Sequence, residues 1–272
     1  MADSSELLHH VQDAEKIDFW FFGDRSWAIW QPFDAWGFRI TKFMLAELAV
    51  AVVMAVIFIT VARRLRHGDA PRGRLVNFFE SVLVFLRDEV ARPSIGEHHA
   101  DRFMPFLWTI FFFVLFCNLL GLLPWIGTPN GALGTTLTYA VITFAVVIFS
   151  GMAALGPIGF WLAQIPSMEL PLLLKVILYP PLFCIEVLGL CIRHGVLAIR
   201  LFANMFAGHL VLAVILSFIV QAAGTLAWFG VMPVSLLGSV AISFLELLVC
   251  FIQAYVFTLL AAVFIGMAVH RH

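Results

Sequence analysis

Charge is what this chain has least of. Of its 272 residues, 12% are Asp, Glu, Lys or Arg and 62% are hydrophobic, where a soluble globular domain has about 25% charged and about 45–50% apolar residues. That balance excludes an ordinary soluble domain and reads as a polytopic, all-α membrane protein. The formal net charge of −1 by itself says nothing about nucleic acid, and no nucleic-acid partner is expected. Cysteine is scarce as well: Cys117, Cys184, Cys191 and Cys250 all lie in apolar runs. They have neither metal-ligand spacing nor the pattern of a disulfide framework, so they read as small buried hydrophobes. No metal or other cofactor is expected. There is no Gly-x-x-x-x-Gly-Lys-Ser/Thr loop, so the chain is expected to do no phosphoryl chemistry and not to be catalytic alone. The opening "MADSSELLHHVQDAEKIDF" is acidic and polar, and reads as neither signal nor transit peptide.

What is present is long apolar stretches. Residues 1–39 form a polar, then aromatic segment, expected on the outer side, in which Trp20, Trp27, Trp30 and Trp36 suit a membrane–water interface. Residues 40–272 read as one transmembrane domain with spans at about 43–62, 104–126, 137–155, 172–222 and 232–270. The first span ends in the basic, turn-rich "RRLRHGDAPRGR". Over 74–92 the apolar residues Leu75, Val76, Phe79, Val82, Leu83, Leu86 and Val90 recur at helical spacing, which predicts an amphipathic helix lying on the membrane surface. "GTPNGALGTT" reads as a short uncharged turn and "GPIGFWLAQIPSMELP" as a loop. A crossing needs about 20 residues, and the stretch 172–222 is far longer. It is either broken at Pro180–Pro181 or steeply tilted. "GTLAWFGVMP" then closes the last two spans into an antiparallel hairpin.

Eight arginines fall between 63 and 102, and none lies in the turns 127–136 and 223–233. By the positive-inside rule the N-terminus is outside and the C-terminus inside, with Lys175 and Arg271 on the inner side.

Several polar residues interrupt the last two spans. Glu186, Arg193, Arg200 and Asn204 are spaced seven, seven and four apart. At about 100° per residue they form one stripe on one helix face. His209 lies on the opposite face. The next helix carries Glu246 and Gln253, again on one face. In an antiparallel pair, residues at one depth have numbers of near-constant sum. Arg200 with Gln253 gives 453, and His209 with Glu246 gives 455. Arg200 and Gln253 are therefore expected in one mid-membrane layer. His209 and Glu246 lie about 10–14 Å nearer the outside, and Glu186 about 21 Å toward the inside. A permanent cation between two titratable layers suits two offset half-channels with a barrier, not one open pore. A buried cation in a bilayer is costly, at least about 2.5–3.5 kcal/mol, which argues for a function. Arg193 could simply reach for the interface, and Asn204 and Gln253 could be interhelical hydrogen-bond donors and acceptors.

These residues carry a resemblance. "RLFANM" followed by "AGH" resembles the Arg-Leu-Phe-Gly/Ala-Asn-Met…Ala-Gly signature of subunit a of the F-type ATP synthases. "CNLLGLLP" at 117–124 and "IQAYVFTLL" at 252–260 are similar to further family segments, and the likeness covers about residues 40–270. It implies a proton-channel stator whose Arg200 faces a ring of c subunits and separates two half-channels. His209, Glu246 and Gln253 would line the outer path, Glu186 the inner one, with Asn204 close to the arginine and Arg193 and Asn118 as auxiliary positions. Implied partners are the c-ring, the b-subunit peripheral stalk, the other F-type subunits and the lipid of a bacterial inner membrane. The chain departs from the family in two places. Many bacterial members carry Glu where His209 stands and His where Glu246 stands; in this chain the two are exchanged, as in mitochondrial members. Some members also place an acid where this chain has Gly121. A secondary transporter would require an internal repeat, which is not evident, and a heme or quinone subunit would require paired histidines facing across spans.

Overall fold

The computed structural model describes residues 16–18, 26–28, 41–65, 73–123, 128–164 and 172–270. Trp20, Trp30, Trp36, the basic segment 66–72, residues 124–126 and Arg271 lie outside the described residues, as do the side chains of Trp27 and Lys175. The described chain is helical apart from a two-stranded antiparallel ribbon, β1 (Lys16–Asp18) and β2 (Ser26–Ala28), in the N-terminal segment. The helices are α1 (Lys42–Leu65), α2 (Arg74–Phe85), α3 (Arg92–Ile95), α4 (Glu97–Gly121), α5 (Leu133–Leu155), α6 (Pro157–Leu162), α7 (Leu172–Ala222) and α8 (Trp228–Val269). Five of them, α1, α4, α5, α7 and α8, contain segments long and apolar enough to cross a membrane.

The bounds depart from the hydropathy reading where polar residues extend a helix beyond its apolar run. α4 starts at Glu97 instead of about 104, because its first turns are polar but still good helix. The segment read as a loop after residue 155 contains the short helix α6, entered through Pro157. α7 is unbroken: Pro180 and Pro181 lie inside it. Each proline removes one N–H donor, a loss that long apolar helices tolerate. The expected surface helix is not uniform. After α2 the backbone widens into a π-helical turn over Leu86–Ala91 and returns to α geometry in α3. Pro93, which has no N–H to offer the carbonyl of Glu89, follows directly.

The chain forms two compact units. One comprises Met1–Arg72, Phe111–Thr136 and Leu201–Tyr255. In it Phe58 of α1 packs edge-on against Phe112 of α4, centroids 4.9 Å apart. The turn between α7 and α8 is closed by Thr225 N–H to the Ala222 carbonyl and Trp228 N–H to the Thr225 carbonyl, each at 3.1 Å, with Gly224 at φ +83°. The arms are antiparallel, and their register can be read directly. Gly208 backs onto Glu246, and Gly238 faces Ile215 at 3.9 Å from an ideal Cβ. Those pairs sum to 454 and 453, the same register that the polar residues implied.

The other unit comprises Gly73–Ile110, Leu137–Arg200 and Val256–His272. Here the segment before α4 is tied down by polar contacts. The Arg87 guanidinium donates twice to the Asp101 carboxylate, at 2.9 and 3.1 Å, and Trp108 Nε1–H donates to the Leu83 carbonyl at 3.1 Å. Arg87, half-buried, has its pKa raised by the hydrogen bonds it donates to Asp101. The His270 ring reaches the Ile95 carbonyl at 2.6 Å. Two of the four cysteines depart from the buried reading: Cys117 and Cys250 are buried, but Cys184 and Cys191 are exposed. Both lie on α7, whose most apolar stretch is only 6% buried, against 50% for those of α4 and α8.

Candidate functional site

In the unit that contains the hairpin turn, polar side chains gather around one cavity of about 460 Å³. Leu122, His209, Leu212, Ser239, Ser243 and Glu246 are among its lining residues. The hairpin register brings His209 and Glu246 to this cavity together. Glu246 is 8% exposed, so it is a carboxyl group almost wholly enclosed by the fold. The hydroxyls of Ser239 and Ser243 donate back to the carbonyls of Leu236 and Ser239, at 2.8 and 3.0 Å. What they can still offer the cavity is oxygen lone pairs, the groups that accept from a water or a protonated ring.

The His209 ring is held by a residue that no sequence pattern pointed to. Its Nε2 is hydrogen-bonded to Thr128 Oγ1. Thr128 stands at the start of the turn read as a simple connection. Instead of lying at the surface, the turn folds inward as a 3₁₀ helix, Pro129–Gly131, with Thr128 and Asn130 at 2% and 0% exposure. Pro129 presets the backbone of the first position, and Gly131 N–H closes on the Thr128 carbonyl at 2.9 Å. Two asparagines secure the turn. Asn130 Nδ2 donates to Asn118 Oδ1 at 2.6 Å, and Asn118 Nδ2 donates to the Cys250 carbonyl on α8 at 3.4 Å. An uncharged Thr-Pro-Asn-Gly between two apolar helices was the available signal, because polar groups without charge can be buried if each finds a partner.

Two close approaches shape this cavity. An ideal Cβ on Gly208 would coincide with the Glu246 carboxylate and lie 3.1 Å from its Cγ. A Cβ on Gly121 would meet Thr128 side-chain atoms at 2.5–3.0 Å. The second contact explains why no acid stands at Gly121: Thr128 occupies its space. Gln253, on the same α8 face as Glu246, is 6% exposed, and its Nε2 has no hydrogen-bond partner among the described residues. A buried donor left unpaired costs about 1–3 kcal/mol, so this amide calls for a water or a partner group.

Of the remaining expected residues on α7, Glu186, Arg193 and Arg200 belong to the other unit and Asn204 to the first. Glu186 and Arg193 are half-buried on α7 and form an ion pair, Nη2 to Oε1 at 3.4 Å. Arg193 therefore has a carboxylate to bind. Arg200 differs. It is exposed, has neither hydrogen bond nor ion pair among the described residues, and is flanked by the exposed Ile192, Val196 and Ile199. Asn204, one turn on, is half-buried. His194 is buried between the rings of Phe144 and Phe264, with centroids 5.0 and 4.8 Å away. Its Nδ1 donates to the Leu190 carbonyl at 2.9 Å, and its Nε2 has no partner among the described residues. No described histidine faces it across a span in the manner of a heme site, and no group of three or more metal-ligating side chains occurs among the described residues.

A family model described as ATP synthase A chain matches residues 44–266. Among similar proteins, ATP synthase subunit a of Chloroherpeton thalassium is 38% identical over 97% of this chain and 76% of its own length. ATP synthase subunit a of Myxococcus xanthus is 40% identical over 86% of this chain and 75% of its own. ATP synthase subunit a 2 of Chlorobaculum tepidum is 37% identical over 96% and 72%.

Proposed function

Because this chain belongs to the ATP synthase A chain family, we propose that it carries protons through two offset half-channels of a bacterial inner-membrane ATP synthase, with Arg200 as the barrier between them. The observation that carries the reading is the state of Arg200. It is a permanent guanidinium amid exposed apolar side chains, without a partner among the described residues. A cation so placed is costly in a bilayer unless another chain supplies a carboxylate. The carboxylates of a rotating c-ring are that partner, and the mostly uncovered face of α7 is the surface that receives the ring.

The side chains support the following path. A proton enters from the outside, through the cavity lined by His209 and Glu246, both able to exchange protons with water. Gln253 lies further along the same α8 face and orients water with its unpaired amide. The proton neutralises a ring carboxylate, which then turns into lipid. After nearly a full rotation it is released on the inner side near Glu186, whose charge Arg193 holds in place. Arg200 repels a proton and attracts an ionised ring site, so direct passage is blocked and each proton must move by rotation. Asn204 hydrogen-bonds in the layer beside it, and Asn118 braces the turn that holds His209. Each proton moving down 100 mV supplies about 2.3 kcal/mol, so several are needed per ATP. The phosphoryl chemistry belongs to other subunits. The b-subunit peripheral stalk holds this chain against the torque. The N-terminus lies outside and the C-terminus inside.

The test uses inverted membrane vesicles containing the whole complex. With Arg200→Ala, ATP-driven acidification is expected to vanish, while passive proton flux after removal of the soluble head persists or rises. Pumping near the wild-type rate would show that the arginine is structural and overturn the reading.

A further inference from the structure

A second cavity, of about 510 Å³, lies in the other unit where α4 begins and α5 and α8 end. Its lining includes His99, Arg102, Phe103, Phe149, Ala153 and Val269. The half-channel reading makes no use of it. The cavity has two chemically distinct parts. The walls contributed by α5 and α8 are apolar, with small alanines opening a slot beside Phe149. At the α4 end stand Arg102 and the His99 ring, both exposed. Among the described residues, no carboxylate lines the cavity. The acid next in sequence, Asp101, is engaged by Arg87 at 2.9 Å. Ser150 also lines it, but its hydroxyl is committed to the Val147 carbonyl at 2.9 Å.

One helix begins and two end here, as expected where membrane-crossing segments leave the hydrocarbon. A slot that is apolar below this level and cationic at it has the division of a phospholipid. We propose that this cavity is a binding site for an anionic phospholipid, with the phosphate on Arg102 and His99 and an acyl chain along Phe149, Ala153 and Val269. Basic pockets between membrane helices on the cytoplasmic side select such headgroups, and the arginine-rich segment 63–102 marks this as that side. The site concerns anchoring in the leaflet and does not depend on the half-channel reading.

The test is native mass spectrometry of the intact complex, extracted in mild detergent and supplied with phosphatidylglycerol or phosphatidylcholine. Wild type is expected to retain phosphatidylglycerol in preference. Arg102→Gln is expected to lower that occupancy roughly fivefold, and Ala153→Phe, which fills the slot, to abolish it. Inorganic phosphate is expected not to compete, because the acyl chain contributes to binding. Unchanged phosphatidylglycerol retention in Arg102→Gln overturns the proposal. So does loss of another subunit from Ala153→Phe complexes with lipid retention unaltered in Arg102→Gln, which would show that the slot holds a protein helix. If Ala153→Phe does not assemble, Arg102→Gln decides alone.

Discussion

Gly208 is the position at which one methyl group tests the outer cavity. In the hairpin it has no side chain, and the Glu246 carboxylate fills the space where one would start, with Cγ 3.1 Å from an ideal Cβ. Gly208→Ala therefore forces Glu246 to turn away or the two helices to part. Adding a methyl to a packed interior costs about 1–3 kcal/mol. If that strain falls on the conformation that passes protons, the rate drops about 5- to 150-fold, at about 1.4 kcal/mol per factor of ten. The assay is ATP-driven proton pumping in inverted vesicles, with the amount of assembled complex measured alongside. Glu246→Asp shortens the side chain by one methylene and vacates the contested space. Alone it is expected to slow pumping. Combined with Gly208→Ala it is expected to pump faster than Gly208→Ala alone, a positive coupling between the two sites. Wild-type pumping by Gly208→Ala, or strictly additive losses in the double variant, would refute the idea that this glycine exists to seat Glu246.

Two further outcomes follow from the inward-folded turn. Thr128→Val removes the hydroxyl bound to His209 Nε2 but keeps the shape, and is expected to slow pumping and shift its pH profile, while Thr128→Ser restores both; a Thr128→Val profile that overlays wild type would show that the bond does not position the ring. Asn118→Leu leaves the buried amide of Asn130 without its acceptor, a loss of about 1–3 kcal/mol, which should appear as a lower temperature for thermal release of this subunit from the detergent-solubilised complex; an unchanged release temperature would show that the asparagine pair contributes nothing to holding the turn.

Much of this protein could be read before any coordinates. Apolar runs determine which segments leave water, and at a fixed helical period the spacing of Glu186, Arg193, Arg200 and Asn204 determines that they share a face. The constant sum of residue numbers across the hairpin set the level at which His209 meets Glu246, and Gly208 against Glu246 and Gly238 against Ile215 lie at that register. Arithmetic of this kind works because a helix is regular and two helices joined by a tight turn have little freedom to slide. It fails wherever the chain is irregular. The turn Thr128–Gly131 has no period, and nothing local distinguishes a polar turn facing water from one buried against a histidine eighty-one residues away. That choice rests on partners contributed by Gly121, Asn118 and Cys250, and those partners exist only once α4 and α8 have packed. The exposure of Cys184 and Cys191 and the cationic slot at Arg102 were decided in the same way. Composition and spacing determine which groups can meet, whereas burial and hydrogen bonding, which depend on surfaces far apart in sequence, decide which of them do.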